Sequence, residues 1–287
     1  MGSPEANLSE YKTHLLSICI NSTYEMSWSG FKKAINRAGN QVLLKAGQID
    51  ETVDLEFDYE EKRYRAMEKS SEKLYKELRR YKETLASLST AQSNVSDVLA
   101  GFYGQDNEAE SIAKEYNEAT RSISAETLEG LGQPFLQTVL NPIDRFNSYY
   151  VDMNEAIKKR AHKKLDYDSL RNKVRKLSDN PDAEPASEIK LKDATAQLAS
   201  AEEVYERLNG QLKSELPRLM DLRISYLNPS FEAFVKLQLR YFSENHRHLN
   251  EVQKHVDAKT RADFKSGKLE KRLDDILGKV KELNIAS

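Results

Sequence analysis

The sequence predicts an all-α protein, an elongated assembly of three long kinked helices joined by one hairpin turn. Three observations lead there. Glycine and proline supply only 18 of 287 residues, too few for the turns of a loop-rich β protein. Alanine, glutamate, leucine, lysine and arginine supply 130, close to the share seen in long helices and coiled coils. Apolar residues then recur at spacings of three and four over most of the chain, the period of a helix packed along one side. Charged residues reach 31%, more surface polarity than a sphere needs and suited to a rod.

Residues 1–25 are mixed polar sequence and read as a mobile extension. Residues 26–47 hold a short amphipathic helix. Trp28, Phe31, Ile35, Ala38 and Val42 line one side, Ser27 stands where a cap is needed, and Gly47 closes it. Lys32, Lys33 and Arg37 lie around that stripe. Two readings fit: a helix lying in a membrane interface, or an ordinary helix docked on the core.

A three-helix domain is expected over residues 48–256. Its first long helix runs from about Ile49 to Tyr103 on the stripe Tyr64, Met67, Ser71, Leu74, Leu78, Tyr81, Leu85, Leu88, Gln92, Val95, Leu99, Phe102. Fifty-five residues at 1.5 Å each span roughly 80 Å. Gly101–Asn107 reads as a break. The second helical region spans about Glu108–Leu177, with Val139, Ile143, Phe146, Tyr150, Met153, Ile157 and Ala161 as its clearest stripe. Pro142 lacks a backbone donor and predicts a kink there. Residues 178–187 (SDNPDAEPAS) hold two prolines and no large apolar anchor, and mark the tip turn. The third helix covers about Glu188–Val256, with bends expected at Pro217 and Pro229. Residues 257–287 form a tail in which Leu269, Leu273, Ile276, Leu277 and Val280 suggest one more short helix. A narrow bundle of this length has little core per residue. The cluster Phe231, Phe234, Val235, Leu237, Tyr241, Phe242 is broad enough to face two partners, so a second chain is expected on it.

Several function classes drop out. Mean hydropathy is −0.72, and the longest apolar run, Leu15–Ile20, is far short of a membrane span. A single cysteine, Cys19, excludes an internal disulfide framework and a cysteine zinc site. The expected location is the cytoplasm. Phosphate-loop, dinucleotide, zinc-protease and nucleophile-elbow motifs are missing, so no catalytic residues, metal or cofactor are predicted. His162 and Asp166 read as a surface pair. Asp166 and Asp168 read as exposed acids offsetting nearby bases.

Charge is uneven although the net charge is only −2. Glu51–Glu61 holds six acids and no base. Lys158–Lys176 holds nine bases (Lys158, Lys159, Arg160, Lys163, Lys164, Arg171, Lys173, Arg175, Lys176) against two aspartates. Each base near an anionic leaflet contributes about 1 kcal/mol of attraction. The plain alternative is a solvated helix face. Nucleic acid is not expected as a partner, because the run carries one aromatic residue, Tyr167, and no nucleic-acid motif.

Five segments resemble the amphiphysin-type N-BAR family without an SH3 domain, the group of the fungal Rvs-type short form and bridging integrator three. They are Met26–Gly39 (MSWSGFKKAINRAG), Phe57–Tyr64 (FDYEEKRY), Val139–Phe146 (VLNPIDRF), Glu155–Asp168 (EAIKKRAHKKLDYD) and Glu215–Leu219 (ELPRL). The likeness covers about residues 26–255 in the right order. It implies a crescent-shaped antiparallel dimer of three-helix coiled coils that binds anionic lipid through a basic concave face and tips. Lys158, Lys159, Arg160, Lys163 and Lys164 match the concave face. Arg171, Lys173, Arg175 and Lys176 match the stretch toward the tip. Trp28, Phe31, Ile35 and Val42 match the apolar side of an inserting wedge. The resemblance further implies no enzyme activity and peripheral membrane association at endocytic and cortical actin sites. It implies a partner that is a second copy or an SH3-bearing BAR protein. The rival class is a coiled-coil adaptor for actin regulators or a small GTPase that binds no lipid.

Overall fold

The computed structural model describes Arg37, Gly39 and residues 50–103, 107–179 and 185–283, the side chains of 107–110, 185 and 186 excepted. These residues are almost wholly helical, and no strand occurs among them. Helix α1 spans Leu55–Tyr103. Next come α2 (Asn107–Ser122), α3 (Glu129–Phe135) and α4 (Asn141–Asp179), run together by the π-helical segments Ile123–Leu128 and Leu136–Leu140. Helix α5 runs Pro185–His255, followed by α6 (Ala258–Lys265) and α7 (Leu269–Lys281). The all-α expectation is met.

Boundaries follow local chemistry. Helix α1 starts at Leu55, not at Ile49, because Asp54 caps it: its Oδ1 accepts the Phe57 amide at 3.0 Å. Glu56 and Asp58 add favourable charge in the first turn. The π-helical turn 136–140 ends just before Pro142. A wider turn there accommodates a residue that has no amide to donate and whose ring crowds the preceding turn. Helix α5 continues through Pro217 and Pro229. Helix α4 extends to Asp179 and α5 begins at Pro185, so helix occupies both ends of the expected 178–187 turn. The tail forms two helices rather than one. The break falls at Gly267, whose φ of 71° is left-handed and suits glycine.

Packing divides the chain into two units. One comprises Leu140–Phe231 with the chain up to Lys76. The other comprises Glu77–Val139 with the chain from Glu232 onward.

In the first unit, Phe57 and Tyr64 of α1, Phe146, Tyr150, Met153 and Ile157 of α4, and Leu208, Leu212, Leu216 and Leu219 of α5 form one buried cluster. The α4 and α5 sets repeat at three and four residues and the α1 pair is one heptad apart, so each helix presents one stripe to the other two. Tyr64 meets Tyr150 edge to face at 5.9 Å and donates to Asn154 Oδ1 at 2.9 Å. Burial pushes the Tyr150 phenol up to about 12.

In the second unit the core is Leu78, Ile123, Leu131, Phe135, Val139 and Tyr241. Tyr81, Phe135 and Phe234 pack as an aromatic trio with centroids 5.3–6.2 Å apart. Small buried residues, Ser89 and Ser96, carry the inner side of α1 here. The expected α1 stripe is therefore only partly covered. Leu88, Val95 and Phe102 are exposed, and so are Val235, Leu239 and Phe242 of α5.

Candidate lipid-binding face on helix α4

All nine expected bases lie on α4, but they do not share a side. Lys158 and Lys176 are 18 residues apart, five turns, and so have the same bearing on the helix. Lys173 lies within a sixth of a turn of that line. These three are exposed. Lys158 has one weak surface contact, with Glu155 at 3.7 Å. Lys173 and Lys176 form no ion pair among the described residues. Lys159 and Lys163 are half-buried and engaged with the rest of the chain.

The other four turn toward residues 50–57, Arg175 while remaining exposed. Arg160 corrects the sequence expectation: it is 5% exposed and cannot meet a lipid headgroup in this fold. Its guanidinium carbon sits 3.4 Å from the centre of the Phe57 ring. Its Nε donates to Asn209 Oδ1 at 2.7 Å, and an Nη donates to the Tyr205 hydroxyl at 3.4 Å. Asn209 in turn donates to Asp54 Oδ2 at 2.7 Å. Desolvation pushes the Asp54 carboxyl up, but the Asn209 and Phe57 donors and Lys213 outweigh it and hold it below the ordinary carboxylate range. The guanidinium charge is accepted in the interior because two acceptors, Asn209 Oδ1 and the Tyr205 hydroxyl, and the Phe57 ring face satisfy it, with Asp54 linked through Asn209.

Lys164, Arg171 and Arg175 grip the segment before α1. Lys164 pairs with Glu51 at 2.7 Å. Arg171 pairs with Asp168 at 3.0 Å and donates to Thr52 Oγ1 and to the Asp50 carbonyl at 3.0 and 2.7 Å. Arg175 pairs with the Asp50 carboxylate and donates to Asn172 Oδ1 at 2.9 Å. Asp168 is the anchor of this clasp. Its side chain is fully buried and accepts both the Thr52 amide and, at 2.5 Å, the Thr52 hydroxyl. The expectation of an exposed Asp168 is therefore corrected. Asp166 does offset a base, but a distant one: Arg37 reaches it through two donors, at 3.0 and 2.8 Å. Burial, with Arg37 and Lys158 close by, lowers the pKa of His162.

Trp28, Phe31, Ile35 and Val42, the expected wedge, lie outside the described residues. Sequence reading missed Thr52, Asp54, Tyr205 and Asn209. The one local signal was an aspartate immediately before the apolar start of α1. No described helix is long and apolar enough to cross a membrane, and no group of residues suited to a metal occurs among the described residues.

Three long helices packed through apolar stripes define a class, the helical coiled-coil modules. The chain belongs to the BAR domain family, whose profile matches residues 31–258. It is 43% identical to Protein hob3 of Schizosaccharomyces pombe, over 91% of this chain and 98% of that protein. It is 38% identical to a Candida albicans protein named Regulator of cytoskeleton and endocytosis RVS161, over 91% of this chain and 99% of that protein. Among solved structures it is similar to the amphiphysin BAR domain from Drosophila, with a TM-score of 0.58 and 25% identity, over 72% of this chain and 94% of that one. These are short relatives, and the resemblance read from the five sequence segments is met. Membership places the chain in a family of helical modules that dimerise, bind membranes and act on their curvature.

Proposed function

We propose that this protein is a non-enzymatic scaffold that binds anionic membranes and senses or generates their curvature, in endocytosis and actin organisation. The observation that carries the reading is the exposed line Lys158, Lys173, Lys176 on α4 of a BAR-family chain. Lys159 and Lys163 border it. Bases without an internal partner lose little by meeting lipid phosphates, and each contributes about 1 kcal/mol of salt-sensitive attraction. Arg160 is left out of this face. Lys164, Arg171 and Arg175 join it only to the extent that headgroups displace Asp50 and Glu51. Trp28, Phe31, Ile35 and Val42 are proposed to insert as a wedge beside it.

The scaffold is a dimer, assembled through the exposed apolar residues of the second unit: Leu88, Val95 and Phe102 with Val235, Leu239 and Phe242. Apolar side chains left uncovered are a cost to a single chain in water. A second copy, or an SH3-bearing relative, is the occupant in this reading.

Co-sedimentation with small vesicles tests the proposal. The protein is expected to pellet with anionic vesicles, to stay soluble with neutral ones, and to be released by high salt. Failure to pellet in every condition, alone and with an SH3-bearing BAR protein added, would favour an adaptor that binds only proteins.

A further inference from the structure

Helix α7, like α6, lies at the surface. None of its residues is buried. Leu273, Ile276, Leu277 and Val280 are each about half exposed, between 47% and 57%. At 100° per residue, Leu269 and these four fall within an arc of roughly 100°. Lys268, Arg272 and Lys279 fall along one edge of that arc, and Lys281 along the other. Glu270 and Asp274 flank Lys281 on that second edge, and Lys271, Asp275 and Glu282 lie on the back. An apolar stripe with one basic margin suits a helix lying flat in a bilayer interface, where long basic side chains reach up to phosphates.

The setting holds this side outward. Asp257 caps α6 by accepting the Thr260 amide at 2.8 Å. Gly267 turns the chain, and Arg272 ties α7 back to Thr260 and Asp263 at 3.1 and 3.2 Å. A protein partner is the less fitting occupant. Thirteen residues make fewer than two heptads, short of the three or four a coiled-coil seam needs, and the arc is wider than such a seam.

We propose that α7 is an interfacial membrane-binding helix, seating Leu273, Ile276, Leu277 and Val280 among acyl chains with Lys268, Lys279 and Lys281 at the phosphates of an anionic leaflet. The proposal rests on the membrane reading for the identity of the surface, and its test separates the two.

The full chain carrying Cys19→Ser and Leu277→Cys is labelled at position 277 with a polarity-sensitive fluorophore. It is mixed with phosphatidylserine-containing vesicles or with phosphatidylcholine vesicles, and pelleting is scored in the same samples. A blue shift with several-fold brightening on the anionic vesicles alone is expected. Pelleting without a spectral change overturns the α7 proposal and leaves the membrane reading standing. No pelleting overturns both. A blue shift without lipid that grows with protein concentration shows that α7 packs on protein, and overturns it too. As a second arm, Leu273→Glu with Leu277→Glu is expected to weaken anionic-vesicle binding about tenfold without changing the melting temperature. Unchanged binding contradicts the proposal.

Discussion

Two sides of α4 carry the same residue types under different conditions. On the inner side Arg160, Lys164, Arg171 and Arg175 are matched by Asn209, Glu51, Asp168 and Asp50. On the outer side Lys158 has a loose surface contact, and Lys173 and Lys176 have no ion pair among the described residues. A base whose charge is already answered contributes to the fold, and moving it to lipid costs the pairs it leaves. A base without an answer is available to an outside anion. Within a run of nine, the bases left for an outside anion are therefore those the rest of the chain has not already claimed.

The comparison can be broken from the inner side first. Arg160→Ala removes the guanidinium from the Phe57 ring and leaves Asn209 without its donor in the interior. A loss of about 3 kcal/mol is expected, read as a lower urea midpoint. Asp168→Ala takes away the buried acceptor of Thr52 and the partner of Arg171. It should cost about 2 kcal/mol by the same measurement, with faster proteolysis near residues 50–52 as a local signature.

Alkaline pH tests the first unit as a whole. Burial favours the neutral Tyr150 phenol in the fold, while the unfolded chain ionises near its ordinary value of 10. The contribution of Tyr150 is thus fully present below pH 10 and is lost as pH rises from there toward about 12. Burial raises Tyr205 in the same direction. Unfolding midpoints that stay level across that window would contradict the buried placement.

The smallest effect sharpens the comparison instead. Asp50→Asn with Glu51→Gln releases Arg175 and Lys164 from their acids at the surface, where each pair is worth well under 1 kcal/mol. Anionic-vesicle binding is expected to tighten roughly threefold, with stability nearly unchanged.

The fold was largely readable because helix period and packing are local. The stripe Phe146, Tyr150, Met153, Ile157 is buried as its spacing requires, and so is Tyr205, Leu208, Leu212, Leu216. What spacing does not carry is which half of a stripe the chain itself covers. Tyr64, Ser71 and Leu78 are buried on α1, whereas Leu74, Leu88, Val95 and Phe102 from the same stripe are exposed. The site was less readable for a related reason. Arg160 looked like any other base in the run, and its partners Asn209 and Tyr205 are 49 and 45 residues away. Asp168 looked like a surface acid, yet Thr52, 116 residues before it, buries it. Of the two π-helical turns, only the one before Pro142 had a forerunner in the sequence, and Pro142 predicted a kink rather than a wider turn.

The central claim is that the outer bases of α4 meet lipid while the inner ones hold the fold. Its most direct test is the affinity of Lys173→Glu with Lys176→Glu for anionic vesicles, measured beside the unchanged protein at one salt concentration. Two charge reversals on the lipid face should weaken binding about 30-fold, and both proteins should melt at the same temperature. Equal affinity, or a loss of binding that appears only together with a loss of fold, would contradict the claim.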